Sequence, residues 1–168
     1  MKFLILVSLL LTCNPTFSQE KLLDNYQQIF DKAKKEDKNV ILIFGHKHCT
    51  WCRVLDNYHA SSEVKKILDD EFIIHKINIL ESKTGSKLYE YYNLLGTPAW
   101  MIYDSDKKLL CDGKDGDGNV IGYPYRPKEI DIYLHAISQC SKNTDTEELQ
   151  ILADKLKYYG DLQSQNNE

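Results

Sequence analysis

Cys49 and Cys52 stand two residues apart in the stretch FGHKHCTWCR, with His46 and His48 immediately before them. These residue types at this spacing admit three chemistries. The first is thiol–disulfide exchange, which needs one exposed thiolate to attack and one thiol a helical turn away to resolve. If Cys49 opens a helix, its sulfur faces free backbone N–H groups and the positive end of the helix dipole, which favours the thiolate. The second is metal binding, because imidazole and thiolate suit zinc or copper. Structural zinc sites draw their ligands from two separated pairs, and a metal would compete with the disulfide, so the reading for metal ligands here is none. The third is a static structural disulfide.

The neighbouring segments are the elements that must position the pair. VILIF (Val40 to Phe44) is a continuous β-branched and aromatic run, the mark of a strand buried on both faces, and it ends just before the motif. Val54 to His59 reads as a helix just after it. Upstream, Leu22, Leu23, Tyr26, Ile29, Phe30 and Ala33 recur at helical spacing, predicting one helix from Glu20 to Lys38. Downstream, SSEVKKILDDEF predicts a capped helix and Ile73 to Ile79 a second strand. Residues 82–96 predict a helix stopped by Gly96. Pro98 to Asp104 predicts a third strand, with KLLCDG as its hairpin partner. The glycine-rich residues 113–127 predict a loop, Pro127 to Gln139 a helix opened by proline, and Asp145 to Tyr159 a last amphipathic helix. From Gly160 the polar tail is expected to be disordered.

A strand, a C-x-x-C pair opening a helix, and a proline opening a later strand together resemble the thioredoxin superfamily. VILIF, CTWC and GTPA (Gly96 to Ala99) carry the resemblance, which spans roughly Glu20 to Cys140. It implies an α/β, thioredoxin-like three-layer fold: a central mixed β-sheet flanked by helices, here with an extra C-terminal helix. It implies that Cys49 and Cys52 are the catalytic pair, that Pro98 follows a cis bond, and that Thr97 offers its backbone to a bound peptide. Thr50 and Trp51 between the cysteines join the substrate-binding set, with Trp51 either a docking surface or a lid. The stretch LIFGHKHCTWCRVLD also looks like the exported subgroup that includes the C-terminal domain of the periplasmic disulfide-reductase transporter. Two departures from thioredoxin stand out. Ile43 occupies the place of the buried aspartate six residues before the first cysteine, and HCTWC replaces WCGPC. His48 and His46 are therefore read as tuning the Cys49 thiolate toward an oxidant's poise.

The rest of the chain bounds the setting. A length of 168 residues suits one domain, and a net charge of −4 with interspersed signs argues against nucleic-acid binding. Lys2, the apolar run Phe3 to Leu11 and the small residues of TFS predict a signal peptide over residues 1–18, cut before Gln19. The thioredoxin-like domain then covers 19–142, and 143–168 holds the last helix and tail. An exported protein, periplasmic or secreted, is expected; LLTC also resembles a lipobox, so a membrane attachment would come only through lipidation of Cys13. In an oxidising compartment Cys111 and Cys140 are a candidate structural disulfide; the alternative is two separate thiols, Cys111 buried and Cys140 near the surface. DGDGN fails as a calcium loop, because Val120 and Arg126 stand where glycine and glutamate are required. His59 and His75 read as surface or half-buried residues.

The expected function is an exported thiol–disulfide oxidoreductase acting on protein cysteines and disulfides, reset by an upstream redox partner. It needs no dissociable cofactor, because the two sulfurs carry the electrons. The alternatives are a thioredoxin-fold peptide-binding or chaperone module using Trp51 and Trp100 without turnover, and a Cys/His metal-binding protein.

Overall fold

Alternate residues of the first strand serve two different cores. In a computed structural model, which describes residues 16–165, β1 (Asn39–Gly45) buries Ile41 and Ile43 on one side and Val40, Leu42 and Phe44 on the other. The strand is central: the sheet order is β2-β1-β3-β4. β2 (Phe72–Asn78) runs parallel to β1, while β3 (Ala99–Tyr103) and β4 (Leu109–Cys111) are antiparallel neighbours, with a register shift between Ile102 and Tyr103. The expected mixed sheet is present, with one parallel pair.

Helices cover both faces, giving three layers. On the Ile41 face lie α3 (Thr50–Ala60), α4 (Ser62–Glu71), α6 (Pro127–Cys140) and α7 (Thr146–Gln165). On the Leu42 face lie α1 (Thr16–Leu23), α2 (Gln27–Glu36) and α5 (Lys83–Tyr91). This is the thioredoxin-like architecture with a C-terminal helix added.

Three boundaries differ from expectation, each for a local reason. The predicted single helix of Glu20 to Lys38 breaks at a 3₁₀ turn, Asp24–Tyr26. There the Asn25 side-chain amide donates to the Lys21 and Leu22 carbonyls, competing with the helix for its own acceptors. The helix predicted to stop at Gly96 stops at Tyr91 instead. Asn93 takes the left-handed conformation, with φ 49°, that ends it, and Leu94 N–H closes back to the Tyr89 carbonyl. Finally, the tail beyond Gly160 is helical to Gln165, not disordered as expected. Gly160 is buried because the Tyr125 ring lies against it, and Tyr125 Oη donates to Asp161 at 3.0 Å. Residues 1–15, which carry most of the predicted signal peptide and Cys13, lie outside the described residues.

His59, expected at or near the surface, is 9% exposed, and neither ring nitrogen has a partner. Burial, aided by the charge on Lys76, pushes its pKa down to about 3. The folded state therefore holds His59 neutral, while the unfolded chain protonates near the usual 6.5. Unfolding then takes up a proton, and stability falls as pH drops through the window from about 6.5 toward 3. Between pH 7 and pH 5 this one group costs about 2 kcal/mol. Urea titrations at the two pH values should show that loss in the wild type and a smaller one in His59→Leu; equal losses would refute the assignment.

Candidate redox site

The end of β1 and the start of α3 place the sulfurs. Cys49 is the N-cap of α3 and keeps an extended backbone; its N–H donates to the His46 carbonyl at 3.1 Å, which closes the turn. Cys52 lies in the first turn. The two are joined by a disulfide, with Cα atoms 5.2 Å apart, and Cys52 N–H donates to Cys49 Sγ at 3.0 Å. An N–H directed at that sulfur favours negative charge on it once the disulfide opens. Position and the N-terminal donor thus set Cys49 apart from Cys52.

Exposure does not separate the two cysteines as the sequence suggests it should. Cys49 is 8% exposed and Cys52 9%. Gly45 contributes to this close packing: a Cβ there would stand 2.9 Å from Cys52 Sγ, so only glycine lets the strand end lie against the sulfur. Gly45 has no signature in the sequence beyond its place before the motif.

Three of the predicted substrate-binding residues, Trp51, Thr97 and Pro98, share one groove. The Thr97–Pro98 peptide bond is cis, and Thr97 and Pro98 line a groove of about 300 Å³ together with Trp51, Gly122, Tyr123 and Tyr125. Trp51 stacks on Tyr123 and Tyr125, with ring centroids 5.6 Å and 6.1 Å away. Those tyrosines are held from behind: Tyr123 Oη donates to the Leu156 carbonyl of α7 at 2.6 Å, and Tyr125 Oη reaches Asp161 on the same helix. The C-terminal helix is thus the brace of the groove's far wall, a role that nothing in its amphipathic pattern announces. Thr50 is half-buried and accepts from Arg53. Trp100 is not a surface residue: it is 1% exposed and donates to the Gly122 carbonyl, so it supports the groove from the core.

A second cavity, of about 250 Å³, reaches Cys52 and is lined by Ile43, Gly45, His46, Asp56 and Lys76 among others. Ile43 pairs in register with Lys76 on β2. Asp56, one helical turn beyond Cys52, lines the same cavity and pairs with Lys76 at 2.6 Å. Asp56 is the polar group that the sequence reading missed; its i, i+4 spacing from Cys52 was the available signal.

The two histidines are near the pair without engaging the attacking sulfur. His48 is exposed, His46 is half-buried, and their rings lie 6.4 Å apart. The donor to Cys49 Sγ is a backbone N–H, not an imidazole. Cys111 and Cys140, expected as a candidate disulfide, are both free thiols in this structure. The loop that failed as a calcium site is closed on itself, Asp115 Oδ1 accepting from the N–H groups of Asp117 and Asn119. Among the described residues no group of three or more His, Cys, Asp or Glu side chains converges as a metal site would require, and no helix is long and apolar enough to cross a membrane.

The mixed sheet between two helical layers, with the cysteine pair at the mouth of α3, defines a thioredoxin-like fold. Residues 22–95 match the sequence family Thioredox_DsbH, described as "Protein of unknown function, DUF255". The chain superposes on a disulphide isomerase from Xylella fastidiosa Temecula1 with a TM-score of 0.55 at 22% identity, over 70% of this chain and 91% of that one. An uncharacterised protein of Caenorhabditis elegans is 36% identical over 108 residues, 58% of this chain and 15% of that protein. Human spermatogenesis-associated protein 20 is 31% identical over 64 residues, 38% of this chain. The chain spans only 8% of that relative's length.

Proposed function

We propose that this protein is an exported thiol–disulfide oxidoreductase acting on protein cysteines and disulfides. The observation that carries the reading is the placement of Cys49 as N-cap of α3, bonded to Cys52, with Trp51 between them lining the groove of Thr97 and Pro98. In the reducing direction the Cys49 thiolate attacks a substrate disulfide and forms a mixed disulfide, releasing one substrate thiol. Cys52 then displaces the second and leaves Cys49–Cys52 oxidised. In the oxidising direction the steps reverse. Asp56 shares the cavity behind Cys52 and is the group placed to take up the proton that Cys52 gives up. Trp51, Thr97 and Pro98 hold the partner chain, and another redox protein resets the pair. No dissociable cofactor enters the cycle.

An insulin-reduction assay with a chemical reductant tests this. The wild type should accelerate insulin precipitation and Cys49→Ala should fall to the uncatalysed rate; equal rates in both would end the proposal. Export is tested apart from chemistry: protein recovered from an exporting host should begin at Gln19, or at a lipidated Cys13 if LLTC is processed, and an intact Met1 would remove it.

One observation favours a second reading. With both cysteines under 10% exposed, the disulfide has the burial of a static staple, and the fold would then serve as a peptide-binding module without turnover. The reduction potential of the pair separates the two readings.

A further inference from the structure

Cys111 and Cys140 are used by nothing described so far. Cys111 lies in β4 opposite Ile102, and its side chain packs into the core cluster on the α6 side of the sheet. Cys140 ends α6, which packs over β4, and belongs to the same cluster. The end of α6 is tied down there: Asn39 Nδ2, from the start of β1, donates to the Cys140 carbonyl at 2.6 Å. The two thiols differ in access. Cys140 is 6% exposed, and burial, with the Cys111 thiol beside it, pushes its pKa up to about 11; Cys111 is half-buried at the sheet edge.

The chain between these cysteines carries the far wall of the groove. Residues 112–139 include Gly122, Tyr123 and Tyr125, the wall on which Trp51 stacks. One end of that segment leaves the edge strand at Cys111 and the other finishes at Cys140.

We propose that Cys111 and Cys140 form a second, separate redox site: a dithiol that closes to a disulfide and clasps both ends of the segment forming the groove wall. The oxidant is a small disulfide such as oxidised glutathione, which reaches Cys111 first. The Cys111 thiolate attacks it, forming a mixed disulfide and releasing one glutathione thiol. Cys140 loses its proton and displaces the second glutathione, leaving Cys111–Cys140 bonded. One small disulfide is reduced to two thiols as two protein thiols are oxidised to one disulfide, so atoms and electrons balance. Cross-linking the ends of a 28-residue span restricts the loop chiefly through its lost freedom in the open state. The site does not depend on the activity of Cys49 and Cys52.

The test is carried out on the full chain carrying Cys49→Ser and Cys52→Ser, so that failure of the redox reading and failure of this one stay distinct. The folded protein is equilibrated in glutathione buffers of rising oxidised fraction, quenched with acid, alkylated and digested without reduction for mass spectrometry. A peptide pair joined through Cys111 and Cys140 should rise to become the main form. Adding Cys140→Ala should leave Cys111 as a glutathione adduct, whereas adding Cys111→Ser should leave Cys140 unmodified. Both cysteines alkylated as free thiols in the most oxidising buffer would overturn the proposal, as would glutathione appearing first on Cys140. Circular dichroism of each variant establishes that it is folded before it is counted.

Discussion

Cys52→Ala should convert the protein into a covalent trap. Cys49 keeps its place as N-cap of α3, so it still attacks a substrate disulfide. The variant keeps the backbone N–H of residue 52 that faces Cys49 Sγ. What is lost is the second thiol, held in the same helical turn with its Cα 5.2 Å away. An intramolecular thiol in good orientation acts at an effective concentration far above millimolar external thiol. Release of the mixed disulfide should therefore slow by roughly a thousandfold or more. Non-reducing gels of the variant mixed with a disulfide-bonded substrate should show adducts that dithiothreitol dissolves. Cys49→Ala should show none, because Cys52 lies inside the first turn and lacks the N-cap position and the N–H donor that favour a thiolate at Cys49. Equal trapping by both variants would reverse the assignment of attacker and resolver.

Gly113→Ala should be the most damaging of the glycine substitutions in the loop. Gly113 adopts φ +63°, and a Cβ there would run into the Trp100 carbonyl and stand 2.8 Å from its indole ring. Trp100 cannot retreat, because its ring is 1% exposed and packs edge-on against Tyr133 at 5.2 Å. The left-handed backbone costs an L residue about 1–2 kcal/mol, and overpacking a filled core adds about 1–3 kcal/mol. A loss of about 3 kcal/mol lowers the melting temperature by about 6–12 °C for a chain of this length. Gly118 also has positive φ but nothing within 4 Å of its Cβ, so Gly118→Ala should cost only the backbone share. Calorimetry on the pair checks this, and similar losses in both would show that the contact with Trp100 carries no weight. Because Gly113 accepts the Ile121 N–H at 3.1 Å, the same change should also loosen the groove wall and weaken peptide binding.

The sequence carried the sheet clearly because its signals are contiguous. VILIF has no polar residue, so it had to be a central strand, and alternate burial on its two sides follows from the pleat. The cysteine pair was equally legible, since C-x-x-C after a strand and before a helix is a local pattern. What remained hidden depends on long-range contacts. The packing of Tyr125 against Gly160 and its bond to Asp161 turn a polar tail into helix. Burial of both sulfurs needs Gly45 at the strand end, which has no periodicity to betray it. Asp56 shares a cavity with Ile43 from a different element, and only the fold brings the two together. His59 lies in a helical pattern that polar neighbours made look exposed, yet α3 turns it inward.

The reduction potential of Cys49–Cys52, measured by equilibration with glutathione or dithiothreitol and alkylation of the thiols, tests the central claim most directly. A catalytic pair should titrate in the range of known thiol–disulfide enzymes, from about −270 to −120 mV. A value below about −300 mV would mean a disulfide that resists reduction by the glutathione pool, as structural disulfides do, and the cysteine pair would then be a staple rather than an active site.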